Sequence, residues 1–279
     1  SALLLLGDQI YADATAGIFD TRAPIEKFSA RYEDFLGSAD VRRVLSRIPT
    51  YMTIDDHEIS DCWNRTQRAL DEPLVAMALA TARVHQWAHS ANATFSGDAL
   101  DSTPPEGLQQ QALVGGVIPV IFIDTRTNRD RTTLLADATW TALRDWLTQL
   151  RDDDAPKIIA SGSPLAPGFA RYLDDDHVLD AHAARDADNW QAFNDERVRL
   201  LRWIVATGVR NVVFLSGDYH CFGVANIAHG GREIATAIVA PPAYAPFAYA
   251  NAQASELAVD EVVDGYTMAL GRSPSGEPI

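Results

Sequence analysis

The sequence is poor in cysteine and in lysine. Among 279 residues there are two cysteines, Cys62 and Cys221, and two lysines, so nearly all basic side chains are arginines. Two cysteines cannot build the disulfide framework of a small secreted domain. No apolar run reaches the length of a membrane span, because the longest, residues 234–250, contains three prolines. No secretory signal is visible in the chain, and the location of the protein stays open.

Acidic residues outnumber basic ones. The chain has 38 Asp and Glu against 23 Lys and Arg, which gives a formal net charge of −15 and a pI near 4.7. Binding to nucleic acid through a basic surface needs clustered Lys and Arg, so we expect none. The surplus acid suits divalent cations, or it simply keeps the protein soluble.

Apolar runs of strand length alternate with segments of helical spacing. We predict strands at 2–6, 49–54, 157–160 and 211–215, hairpins at 108–124 and 224–240, and helices at 22–46, 73–90, 137–150 and 194–207. This alternation predicts a layered α/β fold with a mixed sheet flanked by helices. No boundary interrupts the pattern, so we expect one domain over residues 1–279.

Three of the predicted strands run directly into acidic and histidine-containing segments. These segments are Gly7-Asp8-Gln9-Ile10-Tyr11, Asp55-Asp56-His57-Glu58 and Ser216-Gly217-Asp218-Tyr219-His220. Ligands of α/β sheets bind outside the carboxyl ends of the strands, so the segments are expected to converge. Any one of them alone could be a loop that caps a helix. Three together predict a metal site, since such carboxylates repel one another unless a cation lies among them.

The same segments resemble a known family. Gly7-Asp8-x-x-Tyr11, Asp55-Asp56-His57-Glu58 and Ser216-Gly217-Asp218-x-His220 are similar to motifs of the alkaline phosphatase D (PhoD-like) branch of the calcineurin-like metallophosphoesterases. Two further segments, Ile123-Asp124-Thr125-Arg126 and the stretch from Asp188 to Arg197, resemble its Asp-x-Arg and Trp-to-Glu-Arg motifs. The resemblance extends from Leu3 to Ala240. It implies an α/β/β/α sandwich with mixed sheets flanked by helices.

The resemblance also implies a ligand set for two or more metal ions. In the family pattern Asp8 bridges two metals, Tyr11 binds ferric iron as a tyrosinate, and Asp56 takes the place of a metal-binding Asn. Asp218 and His220 match the two ligands of a Gly-His-x-His segment. The mixture of phenolate, imidazole and carboxylate suits iron beside a harder ion such as calcium, or manganese.

Two further residues are predicted to act on the substrate. His57 matches the histidine that contacts the phosphate and helps the leaving group depart; the alternative is a capping or packing histidine. Arg126 could hold phosphate oxygens in its guanidinium fork; the alternative is a structural ion pair with Asp124 or a neighbouring acid.

These assignments imply a phosphoric ester hydrolase, either a phosphodiesterase or an alkaline phosphatase, in which a metal-activated water attacks a small phosphoester. The family's first metal motif precedes the position of Leu3, so we expect this chain to lack the N-terminal strand that carries it. That expectation supports an alternative, a non-catalytic relative that binds an anionic ligand or a partner protein.

Overall fold

The computed structural model describes residues 1–12, 24–64, 68–87, 109–180, 188–242 and 260–275. Within those ranges no helix is long and apolar enough to cross a membrane. The helices are α1 (Pro24–Gly37), α2 (Ala39–Leu45), α3 (Arg68–His85), α4 (Asp137–Gln149) and α5 (Asn194–Thr207).

Ten strands form two sheets in the described part of the chain. Strands β1 (Leu3–Leu6) and β2 (Thr50–Thr53) make a parallel pair. The second sheet is mixed, with the strand order β3-β4-β5-β6-β8-β7-β10-β9. Its strands are β3 (Gln109–Val114), β4 (Ile118–Ile123), β5 (Lys157–Ser161), β6 (Val212–Ser216), β7 (Gly223–His229), β8 (Arg232–Val239), β9 (Glu261–Val263) and β10 (Tyr266–Leu270). The pairs β4–β5, β5–β6 and β6–β8 are parallel.

Strand β4 shows why the large sheet is covered on both faces. Because side chains alternate along a strand, Ile121 and Ile123 point to one face and Val120 and Phe122 to the other. The first pair packs in a core with the apolar faces of α4 and α5. The second pair packs with β1 and β2, where Phe122 stacks on Tyr51 at 5.5 Å between ring centroids. The two sheets therefore lie face to face.

Helices α1 and α3 complete the other side of the molecule. Phe28 and Tyr32 of α1 and Leu79 of α3 form a core with Ile54 and Trp63, which follow β2. The order of layers is thus helices, large sheet, small sheet and helices. This confirms the predicted α/β/β/α arrangement of mixed sheets flanked by helices.

Two features of the fold differ from the sequence prediction. The helix predicted at 22–46 is two helices, because Ser38 has an extended ψ of 129° between α1 and α2. Arg22 and Ser90, predicted ends of two helices, lie outside the described residues. Strands β9 and β10 were not predicted, although Asp264-Gly265 between them is a two-residue hairpin signal, and both residues have positive φ (46° and 78°).

The strand pairing places three loops at one end of the molecule. Leu6 lies opposite Thr53 in the parallel pair, so the segments that follow β1 and β2 leave the small sheet together. The segment that follows β6 reaches the same place: a Cβ atom added to Gly217 would lie 3.0 Å from the carbonyl oxygen of Leu6. These three loops carry the predicted metal ligands.

Candidate metal centre

The three loops bring their acidic side chains together. Ligand atoms of Asp8, Asp56 and His57 lie within 4.8 Å of one another, and so do carboxylate oxygens of Asp55, Asp56 and Asp218. Asp56 belongs to both groups, so the two groups adjoin. Residues that are far apart in sequence therefore form one cluster, which we call the acidic cluster: Asp8, Asp55, Asp56 and Asp218.

Tyr11 and His220 lie beside the acidic cluster. The Tyr11 hydroxyl and His220 Nε2 are 2.8 Å apart, within hydrogen-bond distance. The Tyr11 ring also packs on the His57 ring, with 4.4 Å between centroids. Through these contacts, the structure brings together all five predicted metal ligands and His57.

The pKa values of the acidic cluster reflect its burial and its crowding. Burial raises the pKa of the Asp8 and Asp218 carboxyls well above the usual range, and the neighbouring carboxylates raise it further. Burial also raises the pKa of Asp55 to about 7, although Arg126 acts in the opposite direction. Clustered carboxylates with raised pKa values are stabilised in their charged form by a bound cation.

Unsatisfied oxygens provide a test of whether the residues fit metal ions. Asp8 Oδ1, Asp55 Oδ2 and Asp56 Oδ1 are buried, and within the described part of the chain they have no hydrogen-bond partner. A buried carboxylate oxygen without a partner is costly. Three such oxygens in one cluster fit the coordination of hard cations, which take carboxylate ligands.

The backbone around the acidic cluster is tightly packed and strained. A Cβ atom added to Gly7 would lie 2.5 Å from Asp55 Cβ, and one added to Gly162 would lie 2.6 Å from Asp55 Cγ. Asp8 and Asp218 have φ angles of 55° and 69°, in the left-handed region that side chains other than glycine rarely adopt. Such strain is concentrated at functional sites, where the surrounding structure maintains it.

Arg126 is completely buried and faces carboxylates. Its Nε and Nη2 donate to Asp55 Oδ1 at 2.7 and 2.6 Å, and its Nη1 donates to Asp188 Oδ1 at 2.7 Å. Asp124 accepts instead from the backbone N–H groups of Arg126 and Thr127. The observed contacts are those of an ion pair with neighbouring acids. Phosphate binding by Arg126 stays a prediction.

Asp55 and Asp188 are members of the site that the sequence analysis did not assign. Asp188 lies between two guanidinium groups, since Arg129 Nη1 is 2.5 Å from its Oδ1. Burial acts to raise the pKa of Asp188, but Arg126 and then Arg129 outweigh it and lower the pKa to about 2. Asp188 is the first residue of the motif that runs into α5, and this position is the sequence signal that could have identified it.

The chain is similar to known proteins in sequence and in fold. A family model described as PhoD-like phosphatase matches residues 1–264. The structure of PhoD is similar over 85% of this chain, with a TM-score of 0.62 and 18% sequence identity, and the chain spans 50% of that protein's length. A dimetal phosphatase from Danio rerio is 13% identical over 85% of both chains, with a TM-score of only 0.35. No curated protein sequence matches the chain. The similarity to PhoD supports the layered fold, and the extent of the family match shows that the chain belongs to the PhoD-like phosphatase family.

Proposed function

We propose that the chain hydrolyses small phosphoric esters and depends on two or more metal ions. The observation that carries the proposal is a cluster of buried carboxylate oxygens that have no hydrogen-bond partner among the described residues: Asp8 Oδ1, Asp55 Oδ2 and Asp56 Oδ1, at the loops that follow β1 and β2. Family membership supports the same chemistry. Because the chain spans half of PhoD, the activity of the whole protein is part of the proposal.

The side chains proposed to hold the metals are Asp8, Tyr11, Asp56, Asp218 and His220. Carboxylates suit hard ions such as calcium or manganese, and the adjacent phenol and imidazole suit iron. When bound, such ions polarise phosphoryl oxygens and lower the pKa of a water molecule. The contact between Tyr11 and His220 would present the phenol and the imidazole side by side.

His57 is proposed to contact the phosphate and to protonate the leaving oxygen. One of its ring nitrogens is within 4.8 Å of carboxylate oxygens of Asp8 and Asp56, so the imidazole borders the acidic cluster. The Tyr11 ring packs against the His57 ring at a tilt of 38° and supports its orientation. A partly buried imidazole beside carboxylates can supply a proton near neutral pH.

The activity is tested with chromogenic phosphomonoesters and phosphodiesters, on protein loaded with manganese or with iron and calcium. We expect turnover of at least one ester class, and loss of both turnover and metal in Asp8→Asn. The matched control is Asp145→Asn, because Asp145 is an exposed aspartate on α4. Absence of turnover with every metal, for a protein that carries its full sequence, would contradict the proposal.

The role of His57 has a separate test. We expect His57→Ala to lower kcat far more than it lowers the content of bound metal, because general acid–base catalysis contributes about 10²–10⁴-fold. An equal loss of both would show that His57 binds metal instead. If wild-type protein is colourless, contains no iron and still binds phosphate, the non-catalytic alternative is favoured.

A further inference from the structure

The side chain of Glu58 connects two of the three loops. It is 1% exposed. Its Oε2 accepts the backbone N–H of Asp8 at 3.1 Å and that of Asp55 at 2.8 Å. Its Oε1 accepts the backbone N–H of Gln9 at 2.7 Å. One carboxylate therefore binds the loop that follows β1 and the loop that follows β2.

The hydrogen bonds of Glu58 set it apart from the acidic cluster. Oε1 also accepts from the Gln86 side-chain amide at 3.1 Å, so four donors surround the carboxylate. A carboxylate offers about four lone-pair sites, and those of Glu58 are filled by protein donors. Asp8, Asp55 and Asp56 each retain a buried oxygen that has no hydrogen-bond partner in the described residues. The three aspartates therefore have oxygens available to a cation, whereas the oxygens of Glu58 are already occupied by hydrogen-bond donors.

Gln86 extends the connection to the helices. The same amide nitrogen donates to the Tyr32 hydroxyl at 3.0 Å, so both of its N–H groups are used. Gln86 is completely buried and directly follows α3, and Tyr32 belongs to α1. The position of the Glu58 carboxylate is therefore fixed relative to the helical layer that packs behind the loops.

The conformation of the first loop depends on this acceptor. Gly7 and Asp8 have φ angles of 104° and 55°, and the N–H groups of Asp8 and Gln9 point to the same carboxylate. Consecutive N–H groups directed to one side of a turn form a concavity that binds an anion. Here the anion is the Glu58 side chain, and it compensates for the strained conformation that orients the Asp8 carboxylate.

We propose that Glu58 is a positioning residue that sets the spacing of Asp8 against Asp55 and Asp56, through backbone hydrogen bonds and without binding metal itself. This inference rests on the proposed metal-dependent function. Partners of metal ligands outside the coordination sphere change metal affinity by about 10–100-fold when they are replaced. We expect an effect of that size from Glu58.

The test is Mn²⁺ affinity by titration calorimetry in Glu58→Gln, under conditions where circular dichroism shows a folded protein. Glutamine keeps one acceptor oxygen. Its amide nitrogen takes the place of the other oxygen and cannot accept hydrogen bonds from the N–H groups on that side. The expected result is an affinity for Mn²⁺ lowered by about 10–100-fold.

The matched control is Glu196→Gln. Glu196 accepts the N–H groups of Leu134 and Leu135 at 2.8 and 3.2 Å and that of the Trp140 ring at 3.1 Å, and none of these partners lies in the three loops. We expect this variant to lose thermal stability and to keep the Mn²⁺ affinity of the wild type. Equal Mn²⁺ affinity in wild type and Glu58→Gln, or an equal loss in both variants, would overturn the proposal.

A second variant keeps the proposal testable if Glu58→Gln does not fold. Gln86→Met removes one donor to Glu58 and the link to Tyr32, while it leaves the three backbone hydrogen bonds. We expect a smaller fall in Mn²⁺ affinity in the same direction, and no fall would count against the proposal. Wild-type protein that binds Mn²⁺ without hydrolysing any ester would refute the proposed function alone; wild-type protein that binds no Mn²⁺ would refute both.

Discussion

Replacement of Arg126 by methionine distinguishes between a structural ion pair and a phosphate-binding role for this residue. The guanidinium is 0% exposed and lies between Asp55 and Asp188, with three N–O distances of 2.6 to 2.7 Å. Methionine has a similar length and no charge, so Arg126→Met leaves two carboxylates without their main partner. Arg129 still contacts Asp188, whereas Asp55 loses its main donor.

The expected cost follows from the burial of the pair. Removal of one partner from a buried ion pair destabilises a protein by about 3–5 kcal/mol, because a buried charge is left uncompensated. The pKa of Asp55 is already about 7 in the presence of Arg126, so without the arginine Asp55 takes up a proton and relieves part of this cost. We therefore expect the free energy of unfolding to fall by about 3 kcal/mol. This is a large share of the roughly 5–15 kcal/mol by which native proteins are usually stable.

The assay is urea unfolding of the metal-free protein, followed by tryptophan fluorescence. The control is Arg202→Met, since Arg202 makes an exposed pair with Asp264 at 2.7 Å. Exposed pairs contribute about 0–1 kcal/mol, so the control should unfold close to wild type. A loss below about 1 kcal/mol in Arg126→Met, together with a KM for phosphoester raised at least about tenfold, would refute the ion-pair reasoning and identify Arg126 as a phosphate ligand.

Three other predictions follow from the packing and charges of the site. In Gly162→Ala the new Cβ would lie 2.6 Å from Asp55 Cγ. We expect the free energy of urea unfolding to fall by about 1–3 kcal/mol and Mn²⁺ to bind more weakly. Unchanged Mn²⁺ binding would contradict the close packing. Arg197→Leu leaves the buried Glu261 unpaired, and calorimetry should show lower stability with unchanged Mn²⁺ affinity. In the metal-free protein, burial raises the pKa of Asp55 and Glu58 to about 7, so the folded state binds more protons than the unfolded state between about pH 4 and pH 7. Tm should therefore fall as the pH rises through this window, and a rising Tm would contradict the raised pKa values.

The convergence of the site could be predicted because it follows from strand geometry. Each of the three segments follows a short apolar strand, and parallel strands deliver the residues that follow them to one edge. Asp8, Asp56 and Asp218 meet for this reason, and the register of Leu6 against Thr53 shows how directly the first two are placed. Apolar alternation and helical spacing predicted a layered α/β fold with a mixed sheet between helices, whereas the second sheet of the sandwich was implied by the family resemblance.

The partners of Arg126 could not be predicted, because they depend on contacts across long sequence distances. The sequence suggested Asp124, two residues away, as the nearest acid. A side chain so close in sequence instead accepts the N–H groups of its own turn, as Asp124 does. The actual partners lie 71 and 62 residues away, in loops whose approach is decided by sheet packing.

The residues that hold the acidic cluster in place differ in kind from those proposed to bind metal. The Glu58 oxygens accept hydrogen bonds from N–H donors, and the Arg126 guanidinium is paired with carboxylates, so both side chains already have partners within the protein. The strongest charged neighbours of Asp8 and Asp218 are instead other carboxylates, which raise the pKa of both groups. Arg126 acts in the opposite direction on Asp218, but more weakly. Mutual repulsion between the carboxylates of the acidic cluster lowers the stability of the protein when no cation is bound. A bound cation would restore that stability. We therefore expect metal binding and folding to be coupled: Asp218→Asn should raise the Tm of the metal-free protein and lower its affinity for Mn²⁺ in titration calorimetry.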